Sequence, residues 1–300
     1  MLSDHSSESS DTPVLEPVRL EAVAGTFYPR DAADLQDEVA LFLNQVPAEE
    51  LPGEVLALIV PHAGYAFSGA TAGAAYRHIR EGAYDTVVIL APSHREGFAG
   101  ASVYAGGSYH TPLGYVPVDM ALAGALVSAG GDLIFEGQEG HRVSPGIPGV
   151  GGEHAIEVHL PFLQQTLSAF QVVPIVVGSY TPASCQRIAN VLARALRNRR
   201  VLLVASSDLY HGHSDVACVA SDVETLARIE RMDVDGLVQG LADGTCQACG
   251  AGPILIALMA AGQMGATRAQ LLARTNSNAV TGQAAGYVVG YGAVAILGSG

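Results

Sequence analysis

Val55-Leu56-Ala57-Leu58-Ile59-Val60 runs directly into Pro61-His62-Ala63-Gly64-Tyr65. Six apolar residues without polar alternation, closed by proline, read as a strand buried on both faces. The pattern recurs at 86–91 (TVVILA), 172–177 (VVPIVV) and 201–205 (VLLVA). Helical patterns fill the intervals, at 32–43, 69–80, 155–169, 184–197, 216–231 and 252–262. Alternation of this kind predicts an α/β fold, a three-layer sandwich whose central mixed, largely parallel sheet is flanked by helices. Late strands are expected at 271–275 and 287–297, and a hairpin within 102–117. In such sheets ligands bind beyond the carboxyl ends of the strands.

The rest of the chain fits one domain. Residues 1–17 are rich in Ser, Asp and Glu and read as a disordered acidic tail, leaving 18–300 as a single α/β domain. Hydrophobic residues make up 49% of the 300 and charged residues 15%, which excludes a disordered or fibrous protein. All 15 basic residues are Arg, and against 29 acidic ones they give a net charge of -14. That balance repels phosphate backbones and anionic lipid, so no nucleic acid and no membrane surface is expected as a partner. Four cysteines are too few for a disulfide scaffold. With no basic, apolar leader at the start, the expected location is cytoplasmic.

The strand exits carry the polar signal. VLALIV leads to His62, TVVILA to Pro92-Ser93-His94, and VLLVA to Ser206-Ser207-Asp208-Leu209-Tyr210-His211. One strand-end histidine is ordinarily a hydrogen-bonded structural residue. Three at equivalent ends of a parallel sheet converge on one edge and point to a shared site. Glu153-His154-Ala155-Ile156-Glu157-Val158-His159 forms a second polar cluster at a helix start, with Glu153 and Glu157 one turn apart. It lacks the H-E-x-x-H spacing of zinc proteases.

Cys246-Gln247-Ala248-Cys249-Gly250-Ala251-Gly252-Pro253 is the third feature. No second cysteine pair exists to complete a structural zinc site. Cys249 stands just before a helix, where backbone N–H groups should lower its pKa and favour thiolate. A thiolate is a nucleophile or a soft metal ligand; Cys246, a turn earlier, has no such feature. Neither a G-x-S-x-G elbow nor a P-loop occurs. Ser207, Asp208 and His211 are too close in sequence for spacing alone to make them a triad.

Taken in order, PHAGYAFSG, LAPSH, EHAIEVHLPF, SSDLYH and CGAGPI resemble the motifs of the Memo-like protein family, from about Gly25-Thr26-Phe27-Tyr28 to the terminal Gly-rich strand. The resemblance implies a fold like that of class III extradiol dioxygenases, and a place as component B of a system that pairs a Memo protein with radical-SAM and AMMECR-type proteins. It further implies that His62, His94 and Cys249 hold one transition metal ion, with Fe(II) first and Cu or Zn as alternatives. His211 would then be the acid/base group and Asp208 its acidic neighbour. His154, His159, Glu153 and Tyr65 are expected to line the pocket or support it. The implied function is a non-haem metal-dependent redox enzyme acting on an unidentified small-molecule substrate. The alternatives are a non-catalytic metal-binding scaffold and a zinc-assisted hydrolase.

Overall fold

The computed structural model describes residues 17–45, 50–143, 152–283 and 285–299. The acidic tail expected over 1–17 lies outside the described residues apart from Pro17.

Among the described residues, nine strands form the central sheet: β1 (Val55–Val60), β2 (Thr86–Pro92), β3 (Ala101–Val103), β4 (Ile134–Glu136), β5 (Gln171–Val177), β6 (Val201–Ser206), β7 (His211–Gly212), β8 (Ala266–Asn276) and β9 (Val288–Gly298). Their order is β7-β9-β1-β6-β2-β5-β3-β4, with β8 paired to β9. The four apolar runs of the sequence are β1, β6, β2 and β5, adjacent and mutually parallel. Antiparallel β9 flanks them on one side and antiparallel β3 on the other. The sheet is therefore mixed with a parallel centre, as expected.

Period-two alternation sends successive side chains of each strand to opposite faces. Leu58 and Val60 of β1 join one core with Val87, Ile89 and Ala91 of β2. Ala57 and Ile59 join the other with Val88 and Leu90. Helices Ala32–Asn44, Tyr65–Tyr76 and Leu160–Thr166 cover the first face. Helices Met120–Gly130, Pro182–Leu196, Asp215–Glu230, Val234–Asp243 and Ala251–Gln263 cover the second. Both faces being buried explains why the central strands read as unbroken apolar runs. Among the described residues no helix is long and apolar enough to cross a membrane.

Several boundaries differ from the sequence pattern. The helix expected at 69–80 spans Tyr65–Tyr76, because Gly64 already caps it. The helix expected at 155–169 is a 3₁₀ turn, Glu157–His159, followed by a short helix, Leu160–Thr166. Glu153 and Glu157, which are bound in different directions, are thus not one helix face. Met120–Gly130 and Val234–Asp243 are helices that the pattern did not separate from loops. The expected hairpin is Ser108–Thr111 with Gly114–Pro117, in a small separate sheet with Val18–Arg19.

The N-terminal segment is fastened by a buried ion pair. Glu157 carries no exposed surface and accepts from Arg19 Nη1 (2.9 Å), the amides of Ala22 (2.7 Å) and Val23 (3.0 Å), and the Tyr28 hydroxyl (2.6 Å). Four donors around one desolvated carboxylate keep its charge satisfied. The turn they fix carries Thr26 and Phe27 to the edge of the sheet.

Candidate metal centre

The parallel strands deliver their polar residues to one edge. β6 lies between β1 and β2, so His62 and His94 emerge on either side of Ser206-Ser207-Asp208. Val60 and Ser206 are register partners. The segment before helix Leu160–Thr166 adds His154, and the turn into helix Ala251–Gln263 adds Cys249. That turn needs glycine at 250: a Cβ there would stand 2.3 Å from the Ser206 carbonyl oxygen.

His62, His94 and His154 offer ligand atoms that all lie within 4.8 Å of one another. Their ring centroids are 5.0, 5.7 and 5.2 Å apart for the pairs 62–94, 62–154 and 94–154. Cys249 Sγ lies 3.2 Å from His62 Nε2. The sequence expectation that His62 and His94 meet is met, and His154 stands beside them at the same centre. His211 lines the same cavity, of about 520 Å³, whose apolar side is Phe27 and Phe67.

Glu153 organises the histidines. Its carboxylate accepts from the His94 amide (2.6 Å), His94 Nδ1 (2.9 Å) and the amides of His154 (2.9 Å) and Ala155 (3.1 Å). Burial alone would raise the Glu153 pKa, but the His94 ring and these amides outweigh it and hold it down at about 2. A carboxylate there makes Nδ1 the protonated nitrogen of neutral His94 and leaves Nε2 with the free lone pair. Burial lowers the affinity of the His94 ring for a proton, and Glu153 more than restores it, so its pKa is raised. The other rings are held neutral. Burial, then the neighbouring imidazoles, puts His62 well below the ordinary value. Burial pushes His154 down to about 4 and His159 to about 3.

Three expectations change in detail. Cys249 is not a lowered-pKa thiol in the metal-free chain. Burial, with Asp208 close by, pushes it up to about 12, and the amides of Asp208 and Gly250 do not compensate. Asp208, expected as the acidic neighbour of His211, makes no hydrogen bond to that ring among the described residues. Its Oδ1 accepts from the His62 amide (2.9 Å), and burial lifts its pKa to about 7. The His211 ring is instead held by Nδ1 donating to the Leu209 carbonyl (3.0 Å). Tyr65 is buried in the core, donating to the Val158 carbonyl (2.7 Å), and lies outside the cavity wall. His159 is also fully buried, behind His62; its Nε2 lies 2.8 Å from Ser206 Oγ. Cys246 is buried and makes no contact with the cluster among the described residues.

Sequence reasoning passed over Ser206, whose hydroxyl touches both His62 and His159, and Phe27, which packs edge-on to His154 with centroids 4.6 Å apart. Ser206 opens the SSDLYH motif and Phe27 belongs to GTFY. Neither residue type announces a supporting role without coordinates.

Comparison with known proteins finds relatives over nearly the whole chain. The profile of a family described as "Memo-like protein" matches residues 19–295. A MEMO1 family protein of Ignicoccus hospitalis is 34% identical over 292 residues, covering 92% of this chain and 98% of that one. MEMO1 family proteins of Methanosarcina mazei and Thermoplasma volcanium are 33% and 32% identical, covering 93% and 92% of this chain and 99% and 97% of theirs.

Proposed function

This chain belongs to the Memo-like protein family, and on that premise we propose that it is a metal-dependent oxidoreductase acting on a small molecule in the cavity above β1, β6 and β2. The observation that carries the reading is the 3.2 Å between Cys249 Sγ and His62 Nε2. Two ligands on one ion, bonded at about 2.3 Å (sulfur) and 2.1 Å (nitrogen), stand about 3.1–3.6 Å apart for bond angles of 90–110°. That spacing fits a shared ion, and the donor set fits a transition metal.

His62, His94 and Cys249 would hold the ion. The His94 and His154 rings stack at 12°. His62 and His94 are crossed at 75°, and their planes meet. Cys249, 3.2 Å from His62 Nε2, would be the third donor, with His154 stacked on His94 as a neutral wall. Binding must then displace the Cys249 proton. Fe(II), the first choice, or Cu would supply Lewis acidity and one-electron chemistry that the side chains lack; Zn, the other alternative, is redox-inert and would supply Lewis acidity alone.

The chain's own groups supply the rest. Phe27 and Phe67 give the cavity an apolar side against which a small molecule can pack. His211, with Nδ1 committed to the Leu209 carbonyl, presents Nε2 as the proton carrier. Asp208, lifted to about 7, adds a carboxyl group able to hold or release a proton near neutrality. Four free cysteines among the described residues accord with a reducing, cytoplasmic setting, and the family resemblance adds radical-SAM and AMMECR-type proteins as partners.

The test is metal content and affinity of anaerobically purified protein, followed by an O2-consumption screen of small molecules. One ion per chain is expected, lost in Cys249→Ser and kept in Cys246→Ser and His154→Ala. Loss in His154→Ala with retention in Cys249→Ser would replace the thiolate by the third imidazole. Absence of any O2-consuming substrate with the metal in place would favour a scaffold.

A further inference from the structure

Ser206 is the last residue of β6 and has no exposed surface. Its hydroxyl oxygen has three polar neighbours: the Ala155 carbonyl oxygen at 2.6 Å, His62 Nδ1 at 2.7 Å and His159 Nε2 at 2.8 Å. A hydroxyl has one proton to give and two lone pairs to accept with. The Ala155 carbonyl can only accept. Were the Ser206 proton turned elsewhere, two oxygens would face each other at 2.6 Å with no hydrogen between them. The single proton therefore goes to Ala155, and both imidazoles must donate.

From this proton count we infer that Ser206 is a positioning residue that fixes the tautomer of His62. Nδ1 carries the ring proton, and Nε2 is left as the lone-pair nitrogen, 3.2 Å from Cys249 Sγ. His159 takes part by donating to the second lone pair, which leaves Ser206 no spare acceptor and no spare proton. The same device appears at His94, where Glu153 plays the part of Ser206. Two unlike groups, a hydroxyl and a carboxylate, thus turn two strand-end histidines the same way round. A neutral hydroxyl does this at His62 without bringing a charge into a fully buried place.

The consequence for metal affinity rests on the proposed metal centre; the tautomer itself does not. The experiment uses the full, metal-free chain with 15N-labelled histidine. Long-range 1H–15N spectra at about pH 7.5 distinguish the Nδ1–H and Nε2–H forms, and His62→Gln assigns the signal. Wild type is expected to show His62 as Nδ1–H. Ser206→Ala should shift it towards Nε2–H and weaken Zn(II) binding, read by competition with a chelator, by about 10–100-fold, the range for losing a group that orients a ligand. Ser206→Thr keeps the hydroxyl and should restore both. Finding wild-type His62 as Nε2–H overturns the inference even if no Ser206 variant folds, and so does a His62 signal that stays Nδ1–H in Ser206→Ala. Wild type that shows Nδ1–H but binds no Zn(II) overturns the metal centre and leaves the role of Ser206 standing.

Discussion

Glu153 Oε1 lies 2.9 Å from His94 Nδ1 while Oε2 accepts the amide of the same residue at 2.6 Å, so one carboxylate grips both the ring and the backbone of His94. Replacing it by an amide turns one acceptor into an NH2 group facing N–H donors. Glu153→Gln should weaken metal binding by about 10–100-fold. Competition titration against a chelator checks this, with circular dichroism to verify the fold. Unchanged affinity would mean that His94 is oriented by other contacts.

Among the described residues His211 touches no other site histidine through a hydrogen bond; the ring contact of this kind is to the Leu209 carbonyl. His211→Ala should keep the metal and lose about 10²–10⁴-fold in turnover, the usual worth of a proton-transfer group. Anaerobic metal titration and O2 uptake measured on the same preparation separate the two effects. Metal loss equal to that of His62→Ala would make His211 a ligand instead.

Removing the Glu157 side chain takes the counter-charge from the buried Arg19 guanidinium and the acceptor from two amides and the Tyr28 hydroxyl. Breaking one side of a buried pair costs about 3–5 kcal/mol. Glu157→Ala should show that loss in urea unfolding. Because the same carboxylate fastens the turn bearing Phe27, metal affinity should fall as well. A loss below about 1 kcal/mol would show that the turn holds without it.

Stability should fall on acidification because of buried neutral histidines. His141 accepts at Nδ1 from the Tyr109 hydroxyl (2.9 Å) and donates from Nε2 to the Ser102 carbonyl (3.0 Å). Burial pushes its pKa down from 6.5 to about 4. The unfolded chain takes up this proton below 6.5 and the folded chain only below 4. The contribution is therefore complete above pH 6.5 and is lost as pH falls towards 4, by about 3 kcal/mol at 1.36 kcal/mol per unit. His154 and His159 shift in the same direction. His141→Gln, which can make both hydrogen bonds, should flatten the curve of urea stability between pH 7 and 4.5. An unaltered slope would assign the acid loss to other groups.

The parallel centre of the sheet was legible because strands buried on both faces leave unbroken apolar runs, as in β1 and β2. The meeting of His62 and His94 was legible because parallel strands end together. Helix Met120–Gly130 was not: Ala, Gly and Ser dominate its outer positions, so no polar face sets off the apolar one and no helical period shows. The state of Cys249 was also hidden. Backbone donors at a helix start lower a thiol's pKa only where they outweigh burial, and burial beside Asp208 reverses the sign. Pairing between distant residues, such as Glu157 with Arg19 or Ser206 with His159, has no local signature. It arises from the sheet order and from nothing within either segment.

That order has a consequence for synthesis. β1 and β2 never pair with each other; β6, made more than a hundred residues after β2, separates them. A nascent chain that has reached residue 200 already contains His62, Glu153, His94 and His154 but lacks the strand that sets their spacing. Each of β1 and β2 then offers a bare edge to whatever strand arrives. A capture of loose metal ions by the early histidines, or a pairing of the two edges in the wrong register, is thus a hazard confined to the interval before β6 is inserted. Truncations that end before Val201 should carry that hazard permanently.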